Sequence, residues 1–356
     1  ALPALGDAWA LILQPVVLGY LVLGVVMGLA VGVFPGLGGI AGLSLLLLFV
    51  LISFVFVVGR IIGDPALIML GTSASETALD QLRENLGLNQ PIWQQYLVFL
   101  GDLVQGDFGV SFRYGFSMMP SDALRAEGTP VLPIVLSRLP ATFLLAGTAL
   151  VLAFSLAVVL GCLAAMYPRS WIDNLVNVIS LASVSVVQFW LGLILIIVFS
   201  VQLGLLPTGG YGSWQHLILP ALTLAARPLG RISQVVRSAM LDELSKPYIA
   251  AARAKGVPEW RVVFVHALKN ASIPIVTITG DELSQLLTGA MLVETVFAWP
   301  GIGLLLIDSL GRRDLPMVQA GICVVAALVI LVNLAVDFAY TVLNPRIEMD
   351  NRGGRA

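Results

Sequence analysis

Charge is what this sequence has least of. Asp, Glu, Lys and Arg together make up 11% of 356 residues, and only Lys246, Lys255 and Lys269 represent lysine. A nucleotide-cradling loop needs Gly-Lys-Ser/Thr, so that the ammonium reaches the phosphates and the hydroxyl holds magnesium. The three lysines stand in Ser245-Lys246-Pro247, Ala254-Lys255-Gly256 and Leu268-Lys269-Asn270, and none forms such a loop. No nucleotide-cradling loop of that kind is expected in this chain. His216 and His266 lie in separate loops with no cysteine near them, which argues against a zinc site. His216 reads as an interfacial residue. The serines lack a histidine partner for a nucleophilic triad. No catalytic residue, metal site or cofactor is expected, and the chain reads as a non-enzyme.

Other scarcities narrow the class further. Cys162 and Cys323 sit inside apolar runs, as small packing residues rather than a disulfide framework. A net charge of -2 gives no basic face for nucleic acid. No basic residue precedes the first apolar run, so a cleavable signal peptide is not expected.

What is abundant is apolar surface. Hydrophobic residues are 58% of the chain, with a mean hydropathy of +0.95. Crossing a hydrocarbon core as helix takes about 20 mostly apolar residues. Candidate spans lie near 14–34, 43–62, 141–166, 174–203, 217–240, 272–297 and 318–343. The runs are apolar on every side, which points to an all-α polytopic membrane protein rather than a membrane β-barrel. Residues 63–138 differ in texture, carrying Asp64, Glu76, Asp80, Arg83, Glu84, Asp102 and Asp107 among turn-forming Gly and Pro. They read as a large extramembrane loop. Within it "SASETALDQLRENLGL" predicts a short amphipathic helix capped by Ser75, with Leu79, Leu82 and Leu86 on one face.

Basic residues flanking the spans set direction. Arg169, the cluster from Arg237 to Lys269, and Arg346, Arg352 and Arg355 can all share the cytoplasmic side. The 63–138 loop and "SLGRRDLP" then face outward, with Arg312 and Arg313 a minor violation.

The scarce charge is concentrated in "AARAKGVPEWRVVFVHALKN", residues 251–270. "KPYIAAARAKG" predicts a helix stopped at Gly256. Val257-Pro258 starts a second, with Pro258 and Glu259 suited to a first turn. Helical spacing puts Trp260, Val263, Phe264, Ala267 and Leu268 on one apolar stripe, with Arg261, Val265 and Lys269 on another side. Physics leaves two uses comparable: a juxtamembrane segment on anionic headgroups, or a docking element for a cytoplasmic partner.

At this point the chain resembles the permease subunits of bacterial ABC importers, in their dipeptide, oligopeptide and nickel branch. Tyr248, Ala252-Arg253-Ala254-Lys255-Gly256 and His266-Ala267-Leu268-Lys269-Asn270 match that branch's cytoplasmic EAA loop. Further landmarks in order are "GDPALIMLG" (63–71), "LGLNQPIWQQYL" (86–97), "GDFGVSF" (106–112), "SRLPATFLL" (137–145), "LPALTLA" (219–225), "VETVFAWPGIG" (293–303) and "VNLAVDFAYTVLNPRI" (332–347). The generic motif's leading Glu falls at Ala250 and its later Pro at Lys269.

The resemblance implies a type I ABC importer transmembrane domain of six core helices, here with an extra N-terminal hydrophobic helix. It implies a multi-pass protein of the bacterial inner membrane that imports peptides or similar small solutes. The implied partners are a second homologous permease, two ATP-binding subunits and an extracytoplasmic solute-binding protein. The implied organisation is an extra segment at 1–42, a first core helix at 43–62, the loop region at 63–138, a five-helix core at 139–347 and a tail at 348–356. The coupling loop is 246–270. Its expected ATPase contacts are Tyr248, Ala252, Arg253, Lys255, Gly256, Trp260, Arg261, Phe264, His266 and Leu268.

Inside the membrane, ionisable and polar residues are candidates for a path. Gln285, Thr288 and Glu294 are expected to line it, while Trp299, Pro300 and Gly301 are expected at an outer gate or binding-protein surface. Asp281 and Glu282 are expected to be hydrated at the cytoplasmic interface. Arg227 and Arg231 are expected to pair across helices with Asn333 and Asp337. Residues 28–49, "GLAVGVFPGLGGIAGLSLLLLF", are similar to the large membrane subunit of tripartite tricarboxylate carriers, whose broken helices form ligand sites. That likeness makes a secondary carboxylate carrier the alternative.

Overall fold

The computed structural model describes residues 39–61, 75–85, 87–111 and 129–343. The candidate span at 14–34, most of the 1–42 segment and the 348–356 tail lie outside the described residues. The chain divides at Ile62 into two units. The first contributes one apolar helix, α1 (Gly39–Ile61), matching the expected span at 43–62.

The second unit opens with α2 (Glu76–Asn85) and α3 (Ile92–Gln105), then two short antiparallel strands, β1 (Val110–Ser111) and β2 (Thr129–Pro130). Leu79 of α2 is buried as expected, while the Leu82 side chain and Leu86 lie outside the described residues.

A helix of 36 residues follows, α4 (Val131–Met166). It starts ten residues before the expected span at 141 and carries Pro140 in its interior. Packing explains the extension, since Val131 and Val135 are buried in a cluster with Ile302, Leu305 and Met317.

The expected span at 174–203 is not one straight helix. α5 (Trp171–Ser185) and α6 (Gln188–Gln202) meet at a 107° bend. At the break Val186 and Val187 are extended, and β-branched side chains favour that backbone. The second half of α6, Ile196–Gln202, is a π-helix.

α7 (Trp214–Leu244) is the hub. Gly161 of α4 lies so close to Val236 and Ser233 of α7 that a Cβ would collide. Gly230 of α7 approaches the Ser180 carbonyl of α5 in the same way, beside a Ser180–Ser233 hydroxyl bond of 2.7 Å. Lipid tails are as apolar as leucine, so membrane helices adhere through such small-residue contacts and interhelical hydrogen bonds. Asp173, near the start of α5, is gripped by Arg237 of α7 at 2.5 and 2.8 Å.

The chain then forms α8 (Pro247–Ala254) and α9 (Glu259–Asn270), turns 66° into α10 (Ser272–Val296), and adds α11 (Ile302–Gly311) and α12 (Leu315–Leu343). α11 was not anticipated. It buries Ile302, Leu305 and Leu306 against the start of α4 and against Met317 and Ala320 of α12. Among the described residues, α4 and Leu315–Val336 are by themselves long and apolar enough to cross a membrane, and each of the two bent pairs adds one more span if counted as a unit.

Candidate functional site

The 246–270 loop is built as expected up to Gly256. Pro247 occupies the first turn of α8, where a missing N–H costs nothing. The Gly256 N–H bonds Arg253 O at 2.9 Å and the Val257 N–H bonds Ala252 O at 3.3 Å. That paired closure, with Gly256 at φ +77°, is a Schellman stop, and it needs the left-handed conformation glycine adopts without strain. Arg253 reaches across the stop to Glu259 with two bonds, of 3.1 and 2.6 Å, latching α8 to α9. The Arg253 guanidinium holds the Glu259 carboxyl below the usual range.

α9 departs from its expected stripe. Its middle, Val262–Ala267, is a π-helix, whose wider turn moves residues out of the 3.6-residue phase. Val262, Val263 and Ala267 are buried in one cluster with Ile249, Ile232, Val236 and Met240, and Leu268 is half-buried against it. Trp260 and Phe264, expected on the same face as Val263, instead remain 57% and 43% exposed. One stripe thus becomes two: a root packed into the ends of α4 and α7, and an aromatic pair outside. Arg261 lies 5.1 Å from the Trp260 ring centroid, within cation–π range. Lys255 and His266, elsewhere in the same loop, are also exposed.

A second latch closes the base of the loop. Glu243 accepts from Lys246 Nζ at 2.5 Å and from Tyr248 Oη at 2.6 Å, while Asn270 Nδ2 donates to Tyr248 Oη at 3.0 Å. The two ends of the loop are tied through one tyrosine. The Lys246 ammonium first, and then the Tyr248 hydroxyl, hold the Glu243 carboxyl below its ordinary value. Burial, with the carboxylate beside it, raises the Tyr248 phenol. Sequence reading missed Glu243 and the partnership of Glu259. Their signal was present in "DELSKPY", which sets a carboxylate three residues before Lys246 and five before Tyr248.

On the opposite end of α10, Glu294 is fully buried. Its Oε1 accepts from Thr142 at 2.7 Å, and its Oε2 accepts from the N–H groups of Gly303 and Leu304 at 2.7 and 3.3 Å. The carboxylate therefore caps the N-terminus of α11, where a helix offers free N–H groups and positive potential. Trp299 is also buried, donating Nε1 to Ala141 O at 2.9 Å and meeting Tyr211 edge-on at 4.9 Å. Gly301 is required by proximity, because a Cβ there would enter the Glu294 carboxylate. Pro300 is half-buried between them.

Two expectations about intramembrane charge are corrected. Glu282 is not hydrated at an interface: its side chain is 1% exposed and pairs with Arg231 at 2.6 Å, while Asp281 lies 3.4 Å from the same guanidinium. Arg231 is thus taken by α10 rather than by α12. Asn333 accepts instead from the Ser284 hydroxyl, and the Asp337 side chain lies outside the described residues. A carboxylate one turn from Gln285 and in reach of α7 satisfies Arg231 more completely than an amide on α12 would. Gln285 donates to Asp281 at 3.0 Å. Thr288 is exposed on the same side of α10 and also edges a small cavity with Thr142, Leu287, Met291 and Glu294.

Apolar helices of membrane-spanning length thus carry a rooted, aromatic-tipped loop, the build of an integral membrane protein. The chain belongs to the family described as binding-protein-dependent transport system inner membrane component, whose model matches residues 157–349; the family's N-terminal model matches 39–146. It is 39% identical to the probable D,D-dipeptide transport system permease protein of Escherichia coli K12, over 84% of this chain and 92% of that one. It is 40% identical to an oligopeptide transport system permease protein of Bacillus subtilis 168, over 80% of this chain and 90% of that one. A glutathione transport system permease protein of Escherichia coli K12 is 41% identical over 80% of this chain and 89% of that one. The protein is a multi-pass, all-α permease subunit of an ABC importer in the bacterial inner membrane, a class that works with ATPase and solute-binding partners. The carboxylate-carrier alternative drawn from residues 28–49 is not supported, since the importer family's match already begins at 39.

Proposed function

We propose that this chain forms half of the translocation path for di- or oligopeptides or similar small solutes. It pairs with a second homologous permease, and two ATP-binding subunits carry the hydrolysis. The observation that carries this reading is the split character of α9. Its root is buried in the ends of α4 and α7, while Trp260 and Phe264 stay exposed, with Arg261 against the Trp260 ring and exposed Arg253 and Lys255 in the same loop. Exposed aromatics with arginine are the composition of an interface centre, and a buried root converts movement of that tip into movement of α7 and α10.

In this reading Tyr248, Ala252 and Gly256 shape the loop, His266 and Leu268 border it, and the aromatic pair enters a groove on the ATPase. Gln285 and Thr288 face the path. Glu294 acts on it indirectly, by bracing the buried turn at Trp299, Pro300 and Gly301, against which Tyr211 of the 208–216 loop packs, and the 208–216 and 63–138 loops meet the binding protein. Residues 1–42 are an addition to this core. The relatives transport a dipeptide, oligopeptides and glutathione by name, and that breadth supports peptides as the solute class.

The test is co-purification from membranes. A tagged chain should bring down an ATP-binding subunit and a second permease, and W260D should lose the first while keeping the second. Recovery of neither from the wild-type chain would sink the reading.

A further inference from the structure

The turn between α4 and α5 is a second place where aromatics face outward. Only Tyr167, Pro168, Arg169 and Ser170 separate the two helices. Tyr167 is 50% exposed and Trp171, the first residue of α5, is 73% exposed. Arg169, between them in sequence, is exposed as well. None of the three belongs to the coupling loop.

Asp173 organises this turn. Its carboxylate accepts the Arg169 N–H at 2.9 Å and the Asn177 amide at 3.1 Å, and it is gripped by Arg237 of α7. Ser170 caps α5 by accepting the Asp173 N–H at 3.3 Å. Arg169 is thereby held at φ +60°, a left-handed backbone that glycine adopts without strain and arginine does not. At Gly256, with φ +77°, the chain uses glycine; here it keeps a guanidinium at a conformational cost. Asp173 takes the backbone N–H of Arg169 and not its side chain, and among the described residues that guanidinium has no ion pair or hydrogen bond. The turn and its clamp thus set two guanidiniums, Arg169 and Arg237, against the single carboxylate of Asp173.

Depth decides what this positive, aromatic turn meets. α7 has 31 residues, so a hydrocarbon core of about 30 Å centred on it ends near Leu219 and Ala239, at about 1.5 Å per residue. Arg237 holds Asp173 just inside the second of those boundaries. Gly161, which lies against Val236, is about two turns before Tyr167 on α4. The turn therefore falls in the headgroup layer, at the end of α7 that leads into the 246–270 loop.

We propose that the α4–α5 turn binds an anionic phospholipid, with Arg169 on the headgroup phosphate and Tyr167 and Trp171 anchoring the turn at headgroup depth. A guanidinium matches phosphate in a fork geometry and is less tightly hydrated than an ammonium. Indole and phenol rings settle where an apolar body and a polar tip both find their medium. Lipid is the occupant because the turn joins two segments of spanning character and lies at the edge of the bilayer they cross. Through Arg237 and Asp173 the lipid-held turn is tied to the helix that roots the coupling loop, which gives that loop a fixed neighbour. The inference needs only that the chain spans a membrane, and it stands whichever solute is carried.

The experiment uses the assembled transporter in nanodiscs of phosphatidylcholine with a minor fraction of phosphatidylglycerol. Benzoylphenylalanine at position 171 exchanges one aromatic for another, and mass spectrometry reads the headgroups of the lipids crosslinked to it. Phosphatidylglycerol should be enriched among the adducts about fivefold over its share of the bilayer, the scale of one basic residue beside an anionic surface. R169Q should bring the enrichment to near unity, and R169K should retain most of it. Lipid adducts without enrichment, or an enrichment that R169Q leaves intact, would overturn the headgroup site. A crosslink to the ATP-binding subunit, to the second permease or to residues 344–356 of this chain, in place of lipid, would overturn it too, as would the absence of any lipid adduct.

Discussion

The turn at 294–304 and the loop at 246–270 are made from similar parts and put to opposite ends. Each has a glycine that no larger residue replaces freely, by proximity at Gly301 and by its φ of +77° at Gly256, with a carboxylate that closes the segment and an aromatic residue nearby. In the turn everything faces inward: Glu294 is buried on Thr142, Gly303 and Leu304, and Trp299 is buried on Ala141. In the loop the carboxylates of Glu243 and Glu259 likewise tie the chain to itself, but Trp260 and Phe264 point away from it. The first region is complete within the chain; the second is rigid at its base and unfinished at its surface. A stable scaffold and a surface awaiting a partner can therefore be told apart by where the aromatics go, even when the turns are alike.

The largest effect should come from breaking the completed region. E294A leaves the Thr142 hydroxyl and two N–H groups unsatisfied in a buried site, at about 1–3 kcal/mol each. G301A should do comparable damage by steric conflict. Both should lower the melting temperature of the detergent-solubilised permease and its level in membranes, whereas full-level, equally stable variants would show that the turn is not a brace.

Breaking the unfinished region should leave stability alone and cost binding. W260D is expected to weaken ATPase association at least about 30-fold, the equivalent of about 2 kcal/mol for an interface hot spot, with an unchanged melting temperature. Titration of the purified ATPase subunit onto the permease in nanodiscs measures it. G256A should be intermediate. The space around Gly256 is open, so only the φ of +77° is strained, costing about 1–2 kcal/mol, and transport per ATP hydrolysed should fall more than binding does.

The smallest effects belong to the exposed latch. R253Q should change association by less than about 1 kcal/mol, because exposed ion pairs contribute little and salt screens them. The pH response carries a definite sign. Glu243 and Glu259 are both lowered by their basic partners, so the latches contribute fully above the ordinary glutamate value of about 4.3 and are lost as pH falls through the lowered values. Amide exchange in 246–270, corrected for intrinsic rate, should show equal protection at pH 7 and pH 5. Loss of protection already at pH 5 would contradict the assignment of these carboxylates.

Much of this architecture was legible beforehand. Apolar runs located α1, α7, α10 and α12 to within a few residues, because span length is a property of the bilayer and not of packing. The Schellman stop at Gly256 was readable from an Ala-rich helix ending in Lys-Gly. The break at Val186-Val187 was not, since no Pro or Gly marks it. Nor was the π segment in α9, which rotates Trp260 and Phe264 away from Val263; periodicity assumes the turn it is trying to detect. The role of Glu294 was hidden for another reason. Its partners Thr142 and Gly303 come from distant and unpredicted elements, and a carboxylate at the end of a span reads the same whether it faces a path or a helix N-terminus.

On the proposed reading, the exposed tip of α9 meets an ATPase subunit rather than lipid headgroups. A photo-reactive benzoylphenylalanine at position 260, irradiated in native membranes, tests it most directly. A crosslink to the ATP-binding subunit is expected, lost when that subunit is stripped from the membrane; a crosslink to lipid alone, unchanged by stripping, would rule the docking out.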